Sequence, residues 1–180
     1  MGVDDAPFAR DHRGDVAIVG TVCSRTRLDG VLTGRVRRDG KNAATRIADM
    51  LVGSPFDEHV QAVVLQGIAV GGFNVVDVHA LHARVGRPVL VVARRKPNLA
   101  AMRRALLERV PGGREKWRLL ERAGEMEPLS GVYVQRVGLT LRQAEALLAS
   151  TTLHGNLPEP LRLAHIIAGG LATGVGRGGA

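Results

Sequence analysis

The stretch from Ala62 to Asp77 constrains the fold more than any other part of this 180-residue chain. Residues 62–65 form a short apolar run that ends just before Gly67, as expected of a strand buried on both faces. A glycine-rich loop follows, and Asn74 then stands where an N-cap opens a helix, with apolar residues at helical spacing behind it. The stretch therefore predicts a strand–loop–helix unit.

This loop has two interpretations. Ligands of open α/β sheets bind at the carboxyl ends of the strands, where the loop would lie. The alternative is an ordinary strand-to-helix connection whose glycines provide only tight backbone geometry. Taken alone, the stretch favours the second interpretation, so the rest of the chain has to decide.

Hydrophobic periodicity places the other elements around this unit. A short first strand ends at Asp4 and Asp5, and the runs 16–23 and 30–37 predict an antiparallel hairpin. Further strands are predicted at 88–93 and 132–137, and helices at 42–51, 74–84, 97–110, 114–123, 140–150 and 158–168. This order predicts an α/β fold with a mixed sheet, antiparallel strands first and parallel strands later, and helices on both faces. RNase H-like proteins, among others, share that order.

The overall composition predicts one domain and a cytoplasmic location. We expect the domain to span residues 1–173, followed by a flexible glycine-rich tail over 174–180. No segment is apolar for long enough to span a membrane, the N-terminus lacks the layout of a signal peptide, and Cys23 is the only cysteine. No motif sets the oligomeric state, and a monomer is favoured.

Positive charge is clustered along the chain, whose formal net charge is +8. Arginine and lysine concentrate in the segments 25–41, 94–96 and 103–122. Such clusters favour a polyanionic partner, with nucleic acid as the first candidate. The alternative is a set of solvated faces in an arginine-rich proteome. The scarcity of aromatic residues argues against a stacking platform for single strands.

Acidic residues at the end of the first strand are candidates for phosphodiester chemistry. Asp4 would suit Mg²⁺, which prefers hard oxygen ligands held by a central strand. Asp5 points to the opposite face of that strand, so at most one of the two serves a given site. The alternative for Asp4 is an ordinary acid in a surface turn.

A second candidate group lies near the C-terminus, on a mostly apolar predicted helix. Glu159 begins this helix and complements its dipole, and Arg162 lies three residues on, on the same face. A charged arginine and His165 inside an apolar helix need partners. They either face a polar site or form a buried structural network. No Walker, dinucleotide-binding or serine hydrolase motif competes with these candidates.

Five unusual sequence blocks occur in order along nearly the whole chain. They are residues 2–8 (GVDDAPF), 28–32 (LDGVL), 71–77 (GGFNVVD), 94–97 (RRKP) and 158–165 (PEPLRLAH). The blocks resemble the archaeal endonuclease dU family, formerly a domain of unknown function and similar in fold to endonuclease V. The resemblance implies an RNase H-like sheet and a metal-dependent endonuclease of the repair type, acting on DNA with deaminated bases (deoxyuridine or deoxyinosine).

The chain departs from the endonuclease V pattern at one position. In that pattern, an aspartate on the first strand and an aspartate before a glycine after a later strand hold the metal. The first corresponds to Asp4, whereas the second corresponds to Gln66. A neutral amide offers an oxygen to Mg²⁺ but brings no charge. The first strand also begins closer to the start of this chain than in the family.

The resemblance implies DNA as the partner, Mg²⁺ or Mn²⁺ as the cofactor, and a set of site residues. The catalytic candidates are Asp4, Gln66, Glu159 and His165, and the candidate metal ligands are Asp4, Asp5, Asp29 and Gln66. The candidate nucleic-acid-binding residues are Gly71, Gly72, Phe73, Asn74, Arg94, Arg95, Lys96 and Arg162. Residues 71–74 would line the base pocket, and residues 94–96 would hold phosphates.

Two alternative functions remain. Gln66 and the basic charge also suit a catalytically weakened nucleic-acid-binding protein on the same fold. A loop at 71–74 that binds a small molecule or a protein would make the chain a different kind of module. Salt-dependent DNA binding separates the first two functions from the third, and metal-dependent cleavage separates a nuclease from a binder.

Overall fold

A seven-stranded mixed sheet forms the centre of the fold in the computed structural model, which describes residues 1–178. The strands are β1 (Gly2–Asp5), β2 (Asp15–Ser24), β3 (Arg27–Arg37), β4 (Val63–Gln66), β5 (Ala69–Val70), β6 (Asn74–Val75), β7 (Val89–Ala93), β8 (Glu127–Leu129) and β9 (Val132–Val137). The helices are α1 (Ala43–Leu51), α2 (Val78–Val85), α3 (Leu99–Arg109), α4 (Gly113–Ala123), α5 (Leu141–Thr151) and α6 (Glu159–Thr173). The strand order in the sheet is β3-β2-β1-β4-β7-β9-β8, and β5 and β6 form a separate small hairpin.

The strand directions confirm the predicted layout as far as β7. Strands β1, β2 and β3 are antiparallel neighbours, and β4 and β7 run parallel to β1. Strand β9 instead runs antiparallel to β7. It leaves β8 through a two-residue turn, Ser130–Gly131, in which both residues have positive φ. The hairpin makes β9 antiparallel to β8 as well, and β8 forms the edge of the sheet.

Helices cover both faces of the sheet, as predicted. Helices α1 to α4 pack on the face that carries Val3, Leu65 and Val91. Helices α5 and α6 pack on the other face, against side chains such as Val64. Because neighbouring strand residues point to opposite faces, Gln66 shares its face with Val64 and lies under α5 and α6.

The predicted role of Asn74 as the N-cap of the following helix is wrong. Helix α2 begins four residues later, at Val78, and its N-cap is Asp77. Asn74 is instead a fully buried residue of β6, whose Oδ1 accepts a hydrogen bond from the N–H of Ala43 at 3.1 Å. Its Nδ2 donates to the carbonyl of Arg37 at 2.8 Å. Asn74 therefore caps α1, a helix that precedes it by 31 positions.

The last helix extends further than predicted. Thr140 caps α5 in a capping box with Gln143, as its position indicated, whereas α6 continues to Thr173, past the predicted end. Residues 174–178 turn back alongside α6. The last two residues of the predicted tail, 179 and 180, lie outside the described residues, and the flexibility of the tail stays a prediction. Within residues 1–178, no helix is long and apolar enough to cross a membrane.

Candidate active site

The end of β1 brings together two side chains that are 161 positions apart in the chain. Nδ1 of His165, on α6, lies 2.8 Å from Oδ2 of Asp4. The other carboxylate oxygen of Asp4 accepts a hydrogen bond from the N–H of Asp5 at 2.9 Å. The Asp4 side chain is 7% exposed, whereas that of His165 is 38% exposed. The pair therefore holds an oriented, buried carboxylate beside an imidazole that reaches solvent.

Close packing of α6 against β1 places His165 at this position. A Cβ on Gly2 would lie 2.5 Å from the carbonyl carbon of Pro160, so only glycine allows this approach. The hydroxyl of Thr21 donates to the carbonyl of Pro160 at 2.6 Å and fixes the start of the helix. Pro160 thus lies beside Gly2 and His165 beside Asp4, so α6 and β1 run in the same direction.

The environment of Asp4 shifts its titration towards neutral pH. The pKa of Asp4 is raised to about 6, chiefly by burial and also by the nearby carboxylate of Asp5, while the hydrogen bond to His165 acts in the opposite direction. Burial also raises the pKa of Asp5. Carboxyl groups with such perturbed pKa values are typical of functional sites.

Gln66 lies next to Asp4 and has an unpaired oxygen. In the parallel β1–β4 register, Gly2 is opposite Val64 and Val3 is opposite Leu65, so the next residues, Asp4 and Gln66, adjoin on the same face. Oε1 of Gln66 is buried and has no hydrogen-bond partner among the described residues. A buried acceptor without a partner is costly, which indicates that a cation or a donor belongs beside it.

The donor set at this point fits a Mg²⁺ ion with few protein ligands. Asp4 offers a carboxylate and Gln66 a free amide oxygen, both hard donors on adjacent strands. Within the described residues, no three His, Cys, Asp or Glu side chains are grouped as a metal site. Mg²⁺ commonly keeps several waters and binds through one or two carboxylates together with substrate phosphates. Asp4 and Gln66 are therefore the residues that would hold it.

The structure does not bring the other two candidate metal ligands to Asp4. Asp5 points to the opposite face of β1, where its Oδ2 accepts a hydrogen bond from the N–H of Gly71 at 2.9 Å. Asp29 forms an ion pair with Arg27 at 2.8 Å. The strand registers place Asp29 level with the start of β1, whereas Asp4 lies towards its end. Neither carboxylate completes a metal shell around Asp4 in this geometry.

Glu159 and Arg162 also lie away from the Asp4–His165 pair. Nε of Arg162 lies 2.7 and 2.9 Å from the two carboxylate oxygens of Glu159, which is 4% exposed. Since α6 runs along β1, Glu159 lies near the start of that strand and His165 near its end. Of the two possibilities for this helix, Glu159 and Arg162 form a structural ion pair and His165 faces a polar site.

The loop 71–74 is a tight turn held against the sheet, and the structure does not show it around a base pocket. The N–H of Gly71 donates to Asp5, and the N–H of Phe73 donates to Oδ1 of Asp39 at 2.7 Å. Asn74 is buried under the start of α1. These contacts commit the polar groups of the loop to β1, β3 and α1.

A cavity of about 340 Å³ opens at the same edge of the sheet, on the face covered by α3 and α4. Its wall is mostly apolar and includes Ile68, Leu99, Met102, Trp117, Leu120 and Met126. Lys96 lies at its rim, directly after β7, and Gln135 of β9 contributes to its wall. Sequence analysis missed this cavity, although Gln135, a buried polar residue on the face of β9 that packs towards Val91, is a signal of it.

Unpaired basic residues surround this edge. Arg94, Arg95 and Lys96 follow β7 and are exposed, and no carboxylate within the described residues lies within 4.0 Å of their charged groups. Lys116, counted in a basic cluster from the sequence, is 2% exposed and donates to the carbonyl of Asp39. It therefore contributes nothing to the basic surface. Arg122 pairs with Asp77.

Fold and site together define the class of this protein. An α/β sheet with three antiparallel strands followed by parallel ones, an acid–imidazole pair at the end of its first strand, and unpaired cations beside it indicate a nuclease of RNase H-like fold. The chain belongs to the endonuclease dU family, whose family model matches residues 1–172.

Individual relatives agree with this membership. A UPF0215 protein of Deinococcus radiodurans is 60% identical over 178 residues, which cover 99% of this chain and 91% of that protein. The crystal structure of a protein of unknown function from Archaeoglobus fulgidus has a TM-score of 0.86 and 32% identity, covering 93% of this chain and 94% of that one. The family predicted from the sequence blocks is therefore confirmed.

Endonuclease V shares the fold at much lower identity. The enzyme of Ciona intestinalis, solved in complex with a 24mer DNA containing an inosine followed by a ribo-adenosine, has a TM-score of 0.53 and 14% identity. The match covers 91% of this chain and 80% of that one. This similarity concerns the fold alone, and it confirms the predicted RNase H-like architecture.

Proposed function

We propose that this protein is a metal-dependent DNA endonuclease of the repair type, acting on DNA that contains a deaminated base, deoxyuridine or deoxyinosine. The observation that carries the proposal is the Asp4–His165 pair beside the unpaired Oε1 of Gln66. This group lies at the carboxyl ends of β1 and β4, where α/β sheets bind their ligands. Membership of the endonuclease dU family supports the same reaction.

The geometry gives the site residues distinct roles. The contact between Nδ1 of His165 and Asp4 orients the imidazole and leaves its Nε2 for the substrate. A histidine held in this way can transfer a proton to or from a reacting oxygen of the phosphodiester. Asp4 and Gln66 would hold a Mg²⁺ or Mn²⁺ ion, which when bound supplies Lewis-acid polarisation of phosphoryl oxygens.

The exposed residues after β7 are suited to positioning the backbone. Arg94, Arg95 and Lys96 have no carboxylate partner within the described residues, so their charges remain available to phosphates. Arginine binds phosphate through two parallel N–H donors, whereas lysine acts as a point charge. These three residues lie at the same edge of the sheet as His165. A DNA strand bound by them would therefore pass the Asp4–His165 pair.

A second function is favoured by one observation. Gln66 is neutral where a second carboxylate would bind a divalent ion more strongly. A protein that binds DNA on this fold with weakened catalysis would have the same basic edge and the same loss of charge at Gln66. The partner would still be DNA, but the metal-dependent step would be slow or absent.

Cleavage of a labelled duplex with one deoxyuridine or one deoxyinosine tests the proposal, in Mg²⁺, Mn²⁺ or chelator. We expect a metal-dependent nick that Asp4→Ala abolishes and that His165→Ala slows by about a hundredfold, the size of a lost general acid or base. The matched controls are Asp11→Ala and His154→Ala, which remove an exposed acid and an exposed histidine.

The outcomes separate the functions. A nick that survives Asp4→Ala would show that another site cuts. Salt-sensitive binding to the same duplex without a nick identifies the DNA-binding protein with weakened catalysis. Absence of both cleavage and binding would reject both nucleic-acid functions.

A further inference from the structure

An open groove of about 480 Å³ lies in front of His165. It is bordered by the loop after β1, by one side of α6, and by the segment 174–178, which turns back after α6. The lining residues are Pro7, His165, Gly169, Thr173, Val175 and Arg177. Because Nδ1 of His165 is turned to Asp4, the free Nε2 is the ring nitrogen left for this groove. A substrate would therefore meet the Asp4–His165 pair here.

Glycines hold the segment 174–178 against α6. Gly174 ends the helix in the left-handed conformation, with a φ of +76°, and the chain reverses its direction there. A Cβ on Gly176 would overlap the carbonyl oxygen of Ile166, so only glycine allows this close approach to the helix. Position 176 therefore faces α6, and the next residue, Arg177, lines the groove.

Arg177 is the one permanently charged residue in the described lining of the groove. It is exposed, and no carboxylate within residues 1–178 lies within 4.0 Å of its guanidinium. None of the described lining residues is acidic, and both oxygens of Asp4 are engaged, with His165 and with the N–H of Asp5. The groove therefore offers a free cation beside an imidazole, a combination that suits an anion.

A phosphodiester is the anion that matches these two groups. Arginine binds phosphate through two parallel N–H donors, and Nε2 of His165 can exchange a proton with an oxygen of the same group. A cation placed at the phosphoryl oxygens stabilises the charge that develops there in the transition state. Residues 94–96 do not supply this charge, since they follow β7, two strands from β1, and do not line the groove.

We infer that Arg177 binds the phosphodiester on which His165 acts, and that the segment 174–178 is part of the active site. The inference rests on the proposed function and adds a residue that contacts the reacting phosphate, whereas residues 94–96 would hold phosphates elsewhere on the strand. Sequence analysis placed Arg177 in a flexible tail, because a run of glycines carries no hydrophobic pattern that would predict its packing on α6.

Neutral phosphates locate this contact without cleavage. A set of duplexes with one deoxyuridine carries a single uncharged methylphosphonate, at a different phosphate around the deoxyuridine in each duplex. Binding to each duplex is measured by fluorescence anisotropy in chelator. We expect the wild type to bind about tenfold more weakly wherever the neutral linkage replaces a phosphate that it contacts, the effect of one charge-assisted hydrogen bond lost.

Arg177→Ala should be insensitive at one of these positions and should keep the sensitivity of the wild type at the others. Since the variant has already lost the contact, neutralising that phosphate costs no further affinity. The matched control is Arg142→Ala, which removes an exposed arginine on α5 and should keep the whole wild-type profile. An unchanged profile in Arg177→Ala would overturn the inference, whether or not the protein cleaves DNA. Absence of binding by the wild type to every duplex would reject the inference together with the proposed function.

Cleavage of the unmodified duplex in Mg²⁺ measures the effect on the reaction. We expect Arg177→Ala to slow the nick about a hundredfold. Arg177→Lys should slow it less, because lysine keeps the charge but not the two parallel donors. Insensitivity at one phosphate without a nick by the wild type would support phosphate binding by Arg177 and reject the nuclease. Full cleavage by Arg177→Ala would show that Arg177 does not act on the reacting phosphate and would overturn the inference.

Gly176→Ala tests whether packing on α6 brings Arg177 into the groove. The added methyl group would displace the segment, so we expect this variant to behave like Arg177→Ala in both assays. Gly170→Ala is the matched control, since a Cβ there lies 3.8 Å from the nitrogen of Gly176, an ordinary contact. Wild-type behaviour of Gly176→Ala would contradict the place of the segment 174–178 in the active site.

Discussion

The chemistry at the end of β1 depends on the charge of single side chains. Asp4 is a buried carboxylate and His165 is a half-exposed base. Gln66, on the neighbouring strand β4, provides a neutral oxygen without a hydrogen-bond partner among the described residues. A divalent ion would therefore meet one negative charge from the protein. The affinity for the ion and the pH dependence of folding stability both follow from this arrangement.

Gln66→Asp should strengthen the binding of divalent ions. A second carboxylate beside Asp4 adds a charge to an otherwise similar pair of oxygen donors. We expect the Mg²⁺ concentration for half-maximal cleavage to fall about tenfold, measured by titrating Mg²⁺ in the duplex assay, and Mn²⁺ binding without DNA to tighten in calorimetry. Gln61→Asp, which adds the same charge at an exposed position, is the control. Unchanged metal affinity in Gln66→Asp would mean that this side chain does not face the ion.

Asp4→Asn should stabilise the protein at neutral pH while abolishing cleavage. Burial raises the pKa of Asp4 from 3.8 to about 6, so the folded state binds this proton more tightly than the unfolded state does. The contribution to stability is therefore fully present below pH 3.8 and lost as the pH rises through 6. In chelator, we expect the variant to be more stable than the wild type above pH 6 by on the order of 2 kcal/mol, and the gap to close in acid.

Urea unfolding across this pH range measures the difference. A stability gap between the two proteins that does not change with pH would show that Asp4 does not titrate in this range. Mg²⁺ should stabilise the wild type more than the Asp4→Asn variant and so reduce the difference in unfolding free energy, because the ion offsets the charge of the carboxylate in the folded state only.

Two contacts between distant elements decide how the site is built. The Asn74 side chain joins the β5–β6 hairpin to the start of α1, and the glycine at position 2 lets α6 approach β1. Both contacts join elements that are far apart along the chain. Their loss should therefore act on whole elements.

Asn74→Ala should destabilise the fold by about 2–3 kcal/mol. The substitution leaves the buried N–H of Ala43 without its acceptor and removes one of the two donors to the carbonyl of Arg37, which keeps the N–H of Gly40. Urea unfolding measures the loss. The control is Asn156→Ala, at an exposed asparagine whose Nδ2 donates one long hydrogen bond of 3.4 Å to the carbonyl of Gly131. We expect this control to change the free energy of unfolding by less than a third of the loss in Asn74→Ala. A loss no larger than that of the control would show that solvent replaces both hydrogen bonds.

Gly2→Ala should displace α6 and with it His165. The added methyl group would meet the backbone of Pro160, which cannot rotate away. We expect a loss of about 1–3 kcal/mol in unfolding free energy and a fall in cleavage larger than the fraction unfolded explains. Gly170→Ala, on α6 where a Cβ meets only ordinary contact at 3.8 Å, should instead gain about 0.5–1 kcal/mol. Full activity in Gly2→Ala would mean that β1 and α6 can separate without moving His165.

Exposed basic residues occur in several parts of the molecule, and one group of them lies at the edge of the sheet that holds the candidate site. The cations after β7 are exposed and unpaired in the described part of the chain, whereas several other basic residues pair with carboxylates or, like Lys116, are buried. A net charge of +8 attracts any polyanion, but only this edge combines free cations with the Asp4–His165 pair.

Replacing Arg94, Arg95 and Lys96 with alanine should weaken DNA binding and reduce its salt dependence. Each phosphate contact contributes about 0.7 to the slope of log affinity against log salt for single strands and about 0.9 for duplexes. We therefore expect the slope to fall by about two, measured by fluorescence anisotropy over a series of salt concentrations. Arg142→Ala removes an exposed arginine on α5 and should leave the slope unchanged. Equal changes in both variants would indicate attraction by net charge alone.

The sequence by itself determined the order of the helices and the longer strands, the family, and the candidates Asp4, Gln66 and His165, but not the short strands β5, β6 and β8. Hydrophobic periodicity, caps such as Thr140 and the conspicuous sequence blocks are local signals, because each reflects residues that are neighbours along the chain. The same signals placed Asn74 at the wrong helix, since a good N-cap residue reveals nothing about which distant N–H it will accept.

Only the tertiary structure decided which of these residues meet. The pairing of β1 with β4 put Gln66 beside Asp4, and the packing of α6 decided that Asp4, rather than Asp5, meets His165. The direction of α6 left Glu159 at the far end of β1. The antiparallel return of β9 placed Gln135 in the wall of a cavity. Strand register and helix approach depend on side chains far apart in the chain, so no local pattern encodes these contacts.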